Sequence, residues 1–123
     1  MKGNPANRNS LQLQLRLLAG QKIALGPGKF ELLQLIRETD SISEAARRMK
    51  MSYMRAWTLI QTMNCCFREP VIRTTRGGRE RGGASLTKTG EKLLALYTRL
   101  ESECLAASNG TRREIASLLT SRS

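Results

Sequence analysis

Residues 41–64, S-I-S-E-A-A-R-R-M-K-M-S-Y-M-R-A-W-T-L-I-Q-T-M-N, leave this chain few structures to choose from. Their apolar positions repeat with the helical period twice, and the break between the two repeats is short enough to read as a tight turn. Ser41 and Glu44 have capping-box spacing, and Ile42, Ala45, Ala46 and Met49 then fall at i, i+3, i+4 and i+7 of one helix face. Ser52 can cap a second helix, in which Ala56, Leu59, Ile60 and Met63 repeat the spacing and leave Met54, Arg55, Thr58 and Thr62 pointing elsewhere. Small alanines at 45, 46 and 56 let the two helices approach closely, as a helix-turn-helix requires, and the free face at the start of the second would meet a groove. Paired amphipathic helices also occur in α-helical proteins of every kind, so the pattern alone does not decide for nucleic acid.

Charge tips the balance. Twenty-one Lys and Arg against 10 Asp and Glu give a formal +11 and a pI near 10.6, which favours a polyanionic partner, nucleic acid or an anionic membrane surface. The excess is uneven: residues 1–50 carry 9 basic and 4 acidic side chains, 51–92 carry 8 and 3, and 93–123 carry 4 and 3. No apolar run long enough to span a bilayer occurs, and Met1-Lys2-Gly3-Asn4-Pro5 does not open a signal peptide, so a soluble, cytoplasmic protein with no membrane partner is expected. The 3 cysteines make no even disulfide framework and read as reduced, small apolar residues. With no histidine there is no Cys/His metal spacing and no Ser/His/Asp or Cys/His arrangement, so no enzyme, metal or cofactor is expected.

The length of 123 residues suits one domain. Residues 1–10 read as a flexible arm. Leu11, Leu13, Leu15 and Leu17 alternate with Gln12, Gln14 and Arg16, which predicts a half-buried strand, with Ile23 and Leu25 returning along it after a turn at 19–22. Gly26-Pro27-Gly28 opens a helix with Phe30, Leu32, Leu33 and Ile36 as its stripe, ending near Thr39-Asp40. Glu69-Pro70 stops the helix that follows Ser52, and 71–75 and 84–86 can pair as a hairpin around R-G-G-R-E-R-G-G at 76–83. Thr87 can cap a long helix over 88–107, with Asn109-Gly110 as its end and 109–123 as a tail. The expected fold class is therefore α+β, mainly α, with a winged helix-turn-helix over 11–108, an N-terminal β-hairpin and a long C-terminal dimerisation helix.

The loop at 76–83 approaches a phosphate-binding P-loop but has Ala84 where the lysine belongs. As a hairpin tip, its glycines supply turn conformations and Arg76, Arg79 and Arg81 supply sequence-neutral charge for a DNA duplex, with Arg73 behind them; a solvated basic loop is the plain alternative. Arg55 lies where a recognition helix reaches base edges, with Ser52, Tyr53, Met54 and Thr58 around it. Ser43, Arg47 and Arg48 on the preceding helix suit phosphates or water, and Trp57, one step past Ala56, is expected to be a packing anchor. Leu93, Tyr97, Leu100, Cys104 and Ala107 follow a four-three spacing, either a dimer seam or an ordinary helix packing on its own domain.

Taken together, S-I-S-E-A-A at 41–46, S-Y-M-R-A-W at 52–57, Met63-Asn64, the loop from Gly77-Gly78 to Gly82-Gly83, and Leu86-Thr87 with Gly90 and Tyr97 resemble the N-terminal DNA-binding domain of the ModE family of molybdate-responsive transcriptional regulators. The resemblance covers roughly residues 23 to 105. It implies a winged helix-turn-helix, related in style to LysR-type DNA-binding domains, that dimerises and binds a two-fold operator. The chain departs from the family pattern at Lys50, where the turn usually carries glycine, and at Arg79-Glu80-Arg81, where the loop tends to more glycine. The family's C-terminal molybdate-binding domains are not among these residues, so molybdate sensing is not expected of them and no small-molecule effector is evident. The function expected is a homodimeric, double-stranded-DNA-binding transcriptional regulator; the alternatives are a basic protein-interaction module and a sequence-neutral DNA-binding protein.

Overall fold

The computed structural model describes residues 11–75 and 83–120. Four helices and two small antiparallel sheets follow in the order β1 (Leu17–Ala19), β2 (Lys22–Leu25), α1 (Pro27–Thr39), α2 (Ile42–Arg48), α3 (Tyr53–Cys66), β3 (Ile72–Thr75), β4 (Gly83–Leu86) and α4 (Lys88–Ala116). The protein is thus mixed and mostly helical. No helix among the described residues is long and apolar enough to cross a membrane.

Local chemistry accounts for most boundaries. Pro27 occupies the first turn of α1, and Asp40 closes that helix in the left-handed region at φ 54, with its N–H bonded to Ile36 O at 2.8 Å. Ser41, Ser52 and Thr87 each cap a helix, accepting from the N–H of Glu44, Arg55 and Gly90 at 3.0 Å. Between α2 and α3 the chain turns through a Schellman motif: Met51 N–H reaches Ala46 O at 3.0 Å and Lys50 N–H reaches Arg47 O at 3.1 Å. Lys50 takes the left-handed position at φ 58, where a side chain costs about 1 kcal/mol relative to glycine.

The core joins every one of these elements except β1, whose residues are exposed. Leu25 from β2, Leu32, Leu33 and Ile36 from α1, Ile42, Ala45 and Ala46 from α2, Ala56, Ile60 and Met63 from α3, and Leu94 and Tyr97 from α4 form one cluster with Val71, Ile72 and Ala84. Each large side chain so buried contributes about 1.5–3 kcal/mol. The alanines expected to allow close helix approach are buried where α2 and α3 meet. Asn64 ties the second sheet to α3: its Oδ1 accepts from Val71 N–H at 2.8 Å and Ile72 N–H at 3.2 Å, and its Nδ2 donates to Ile72 O at 3.1 Å. On the other strand, Ala84 N–H donates to Asp40 O at 3.2 Å and Gly83 bridges Ser41, so this hairpin is also fastened to the α1–α2 corner. Gly90 lets α4 lie against the chain before β3, because a Cβ there would stand 2.2 Å from Val71 O.

Three expectations are corrected. The alternation over 11–17 is not a strand: only Leu17 belongs to β1, and 11–16 run without regular pairing. Its intended partner β2 ends at Leu25, where Gly26 and Pro27 start α1, so there is no ladder for the earlier leucines to join. The long helix does not stop at Asn109-Gly110 but continues to Ala116. Ser108 Oγ donates to Cys104 O at 2.6 Å, and Arg112 reaches back to Ser108 Oγ at 2.9 Å and Leu105 O at 2.8 Å, stitching the helix across those two weak formers. Finally, Tyr97 is not a free seam residue. Its ring packs on Phe30 with centroids 4.7 Å apart and its hydroxyl donates to Leu15 O at 2.7 Å, while burial first and Glu101 second raise the phenol's pKa. Leu93 also packs on the core, so the first half of the expected seam is internal.

Candidate nucleic-acid interface

The first two turns of α3 carry exposed apolar and basic side chains. Ala56, Ile60 and Met63 set the buried stripe. Successive helical residues are separated by about 100°, so Met54 and Thr58 lie opposite that stripe, with Tyr53 and Trp57 on one flank and Arg55 on the other. Met54 is 63% exposed, and Tyr53 and Trp57 are each 39% exposed. The expectation that Trp57 anchors the core is therefore wrong. The step from Ala56 rotates it out of the stripe that Ala56, Ile60 and Met63 bury.

The sequence-proposed residues Ser52, Tyr53, Met54, Arg55 and Thr58 are brought together on this one face, all exposed. Ser52 gives its hydroxyl to the cap. Among the described residues no ion pair engages the Arg55 guanidinium, which leaves all of its donors available. Arg73 sits apart on β3, one residue beyond the Ile72 backbone that Asn64 grips near the C-terminal end of α3. Its side chain faces solvent. Arg76, Arg79 and Arg81 lie outside the described residues.

The α2 residues differ. Ser43 is exposed, but Arg47 is not a free cation: its Nε donates to Glu44 Oε1 at 3.1 Å and its terminal nitrogen to Oε2. Arg48 Nε donates to the same Oε2 at 3.2 Å, and its NH1 lies 3.5 Å from Glu38. These bonds, Arg47's first and Arg48's second, hold the Glu44 carboxyl at about 2, well below the usual carboxylate range. The sequence signal for this clasp was present in the i, i+3 and i, i+4 spacing of Glu44, Arg47 and Arg48. The capping box is accordingly half made, since Ser41 N–H turns to Thr39 Oγ1 at 3.3 Å and the Glu44 carboxylate serves arginines instead.

On α4, Leu100 and Cys104 are half-buried, and Leu96 and Leu105 are exposed. From 98 to 120 no side chain is fully buried, so this part of α4 extends beyond the core with apolar residues uncovered.

No family model matches the chain. Among curated proteins it is similar to the molybdenum-pterin-binding protein MopB of Rhodobacter capsulatus, 44% identical over 78 residues that make up 63% of this chain and 29% of that protein. The molybdenum transport protein ModE of Azotobacter vinelandii is 39% identical over 84 residues, 68% of this chain and 31% of its own length. The DNA-binding transcriptional dual regulator ModE of Escherichia coli (strain K12) is 35% identical over 86 residues, 70% of this chain and 33% of its own length. The chain spans about a third of the length of these curated relatives.

Proposed function

We propose that this chain is a ModE-type winged helix-turn-helix domain that binds double-stranded DNA as a homodimer and thereby regulates transcription, without catalysis of its own. In this reading α2 and α3 form the helix-turn-helix, α3 enters the major groove, and the β3–β4 hairpin is the wing. The observation that carries it is the uncovered N-terminal half of α3. Arg55 offers a guanidinium free of described ion pairs for a guanine edge, Thr58 a hydroxyl, and Tyr53, Met54 and Trp57 apolar surface for base edges. A formal +11 supplies the attraction to phosphate, and the identity to relatives whose names include a DNA-binding transcriptional regulator supports the same partner.

The test is a mobility-shift titration on a duplex selected by the chain itself from a randomised pool. Retarded complexes that survive a large excess of unrelated duplex are expected. Equal competition by the unrelated duplex would leave a sequence-neutral coat, and no shift at low salt would leave a protein-interaction module.

A further inference from the structure

The clasp on α2 has a function that the DNA-binding reading leaves unassigned. We infer that Glu44 suppresses sequence-independent DNA binding by withholding Arg47 and Arg48 from phosphates, an inference that rests on the proposed DNA-binding function. Both oxygens of the Glu44 carboxylate are engaged, Oε1 by Arg47 Nε at 3.1 Å and Oε2 by Arg47's terminal nitrogen and by Arg48 Nε at 3.2 Å. The fork that grips a carboxylate is the same fork that grips a phosphate, so an arginine held this way must exchange one anion for the other before it gains a DNA contact. Glu38, 3.5 Å from Arg48, adds a second carboxylate, and the four side chains together carry no net charge on a protein whose total is +11.

The consequence differs between the two kinds of binding. A free arginine side chain can swing to a phosphate in any register of a loosely docked duplex, and such contacts make up nearly all of non-specific affinity. Arginines tied to α2 point one way, so they meet phosphates only where α3 has already fixed the register. Glu44 lies in the first turn of α2, where its charge also favours the helix dipole, but that role does not require two arginines on its carboxylate. The α2 cap uses the backbone N–H of Glu44, and the Ser41 N–H that a capping-box carboxylate would take is bonded to Thr39 Oγ1.

The experiment compares the whole chain with Glu44→Gln and Glu44→Ala on a short mixed-sequence duplex and on the selected duplex, over a range of salt. Glutamine is accepted at this capping position and the cap bond is kept, so far-UV dichroism should be unchanged. Affinity for the mixed duplex should rise about three- to tenfold, with the log–log salt slope steeper by about 0.9 for each arginine recruited. The selected duplex should gain less, so discrimination falls. The gain should vanish in an Arg47→Ala/Arg48→Ala background. It should also be missing in Glu103→Gln, which removes an equal charge paired with Arg99 at 3.4 Å on α4. An unchanged or weaker Glu44→Gln, or an equal response in Glu103→Gln, overturns the inference while leaving DNA binding intact. A wild type with no duplex affinity overturns both.

Discussion

Arg47 and Arg55 stand 8 positions apart in sequence, yet their electrostatic situations differ. Arg47 is spent on a carboxylate, whereas no described ion pair engages Arg55. Residue type therefore says less about a DNA contact than what the side chain is already bonded to. On this basis Arg55→Ala should cost roughly 1–3 kcal/mol on the selected duplex and far less on mixed sequence, because a bidentate contact to guanine discriminates where a phosphate contact does not. Fluorescence-anisotropy titrations of the two duplexes measure it, and equal losses on both would reassign Arg55 to the backbone. Trp57 makes the same point for apolar residues, since a large aromatic beside a buried alanine is rotated into solvent by one helical step.

At the scale of elements, α3 is positioned by packing on one side and by a single amide at its end. Asn64 satisfies three backbone groups of the chain entering β3, which no apolar residue could do. Asn64→Ala should destabilise the fold by about 1–3 kcal/mol, the range for leaving buried partners unsatisfied. Urea unfolding followed by dichroism gives the value, and a loss near zero would mean that water or a shifted strand replaces the amide. The α2–α3 turn carries a smaller burden, with Lys50 in a conformation that glycine adopts without cost.

At the scale of the whole molecule, the proposed homodimer needs an apolar surface that the core does not use. The four-three seam over 93–107 is split: Leu93 and Tyr97 belong to the core, while Leu100 and Cys104 lie on the extended part of α4, with Leu96 and Leu105 exposed nearby. A homodimer proposed through that extension places Leu100 at its centre, and Leu100→Glu would bury unpaired carboxylates there at a cost of several kcal/mol. Sedimentation should then show a folded monomer that binds a full operator and a half-site alike. If the wild type is itself monomeric, or the variant unfolds, α4 is not the dimer contact. The sequence by itself determined the starts of α1, α2, α3 and α4, the turn between α2 and α3 and their buried alanines, because caps, proline and helical periodicity act within a few residues of the chain. Only the tertiary structure decided that the leucines of 11–16 have no strand to pair with, that Tyr97 faces Phe30 and that Trp57 faces solvent. Those outcomes depend on which neighbour reaches a side chain first, and local pattern carries no information about that competition.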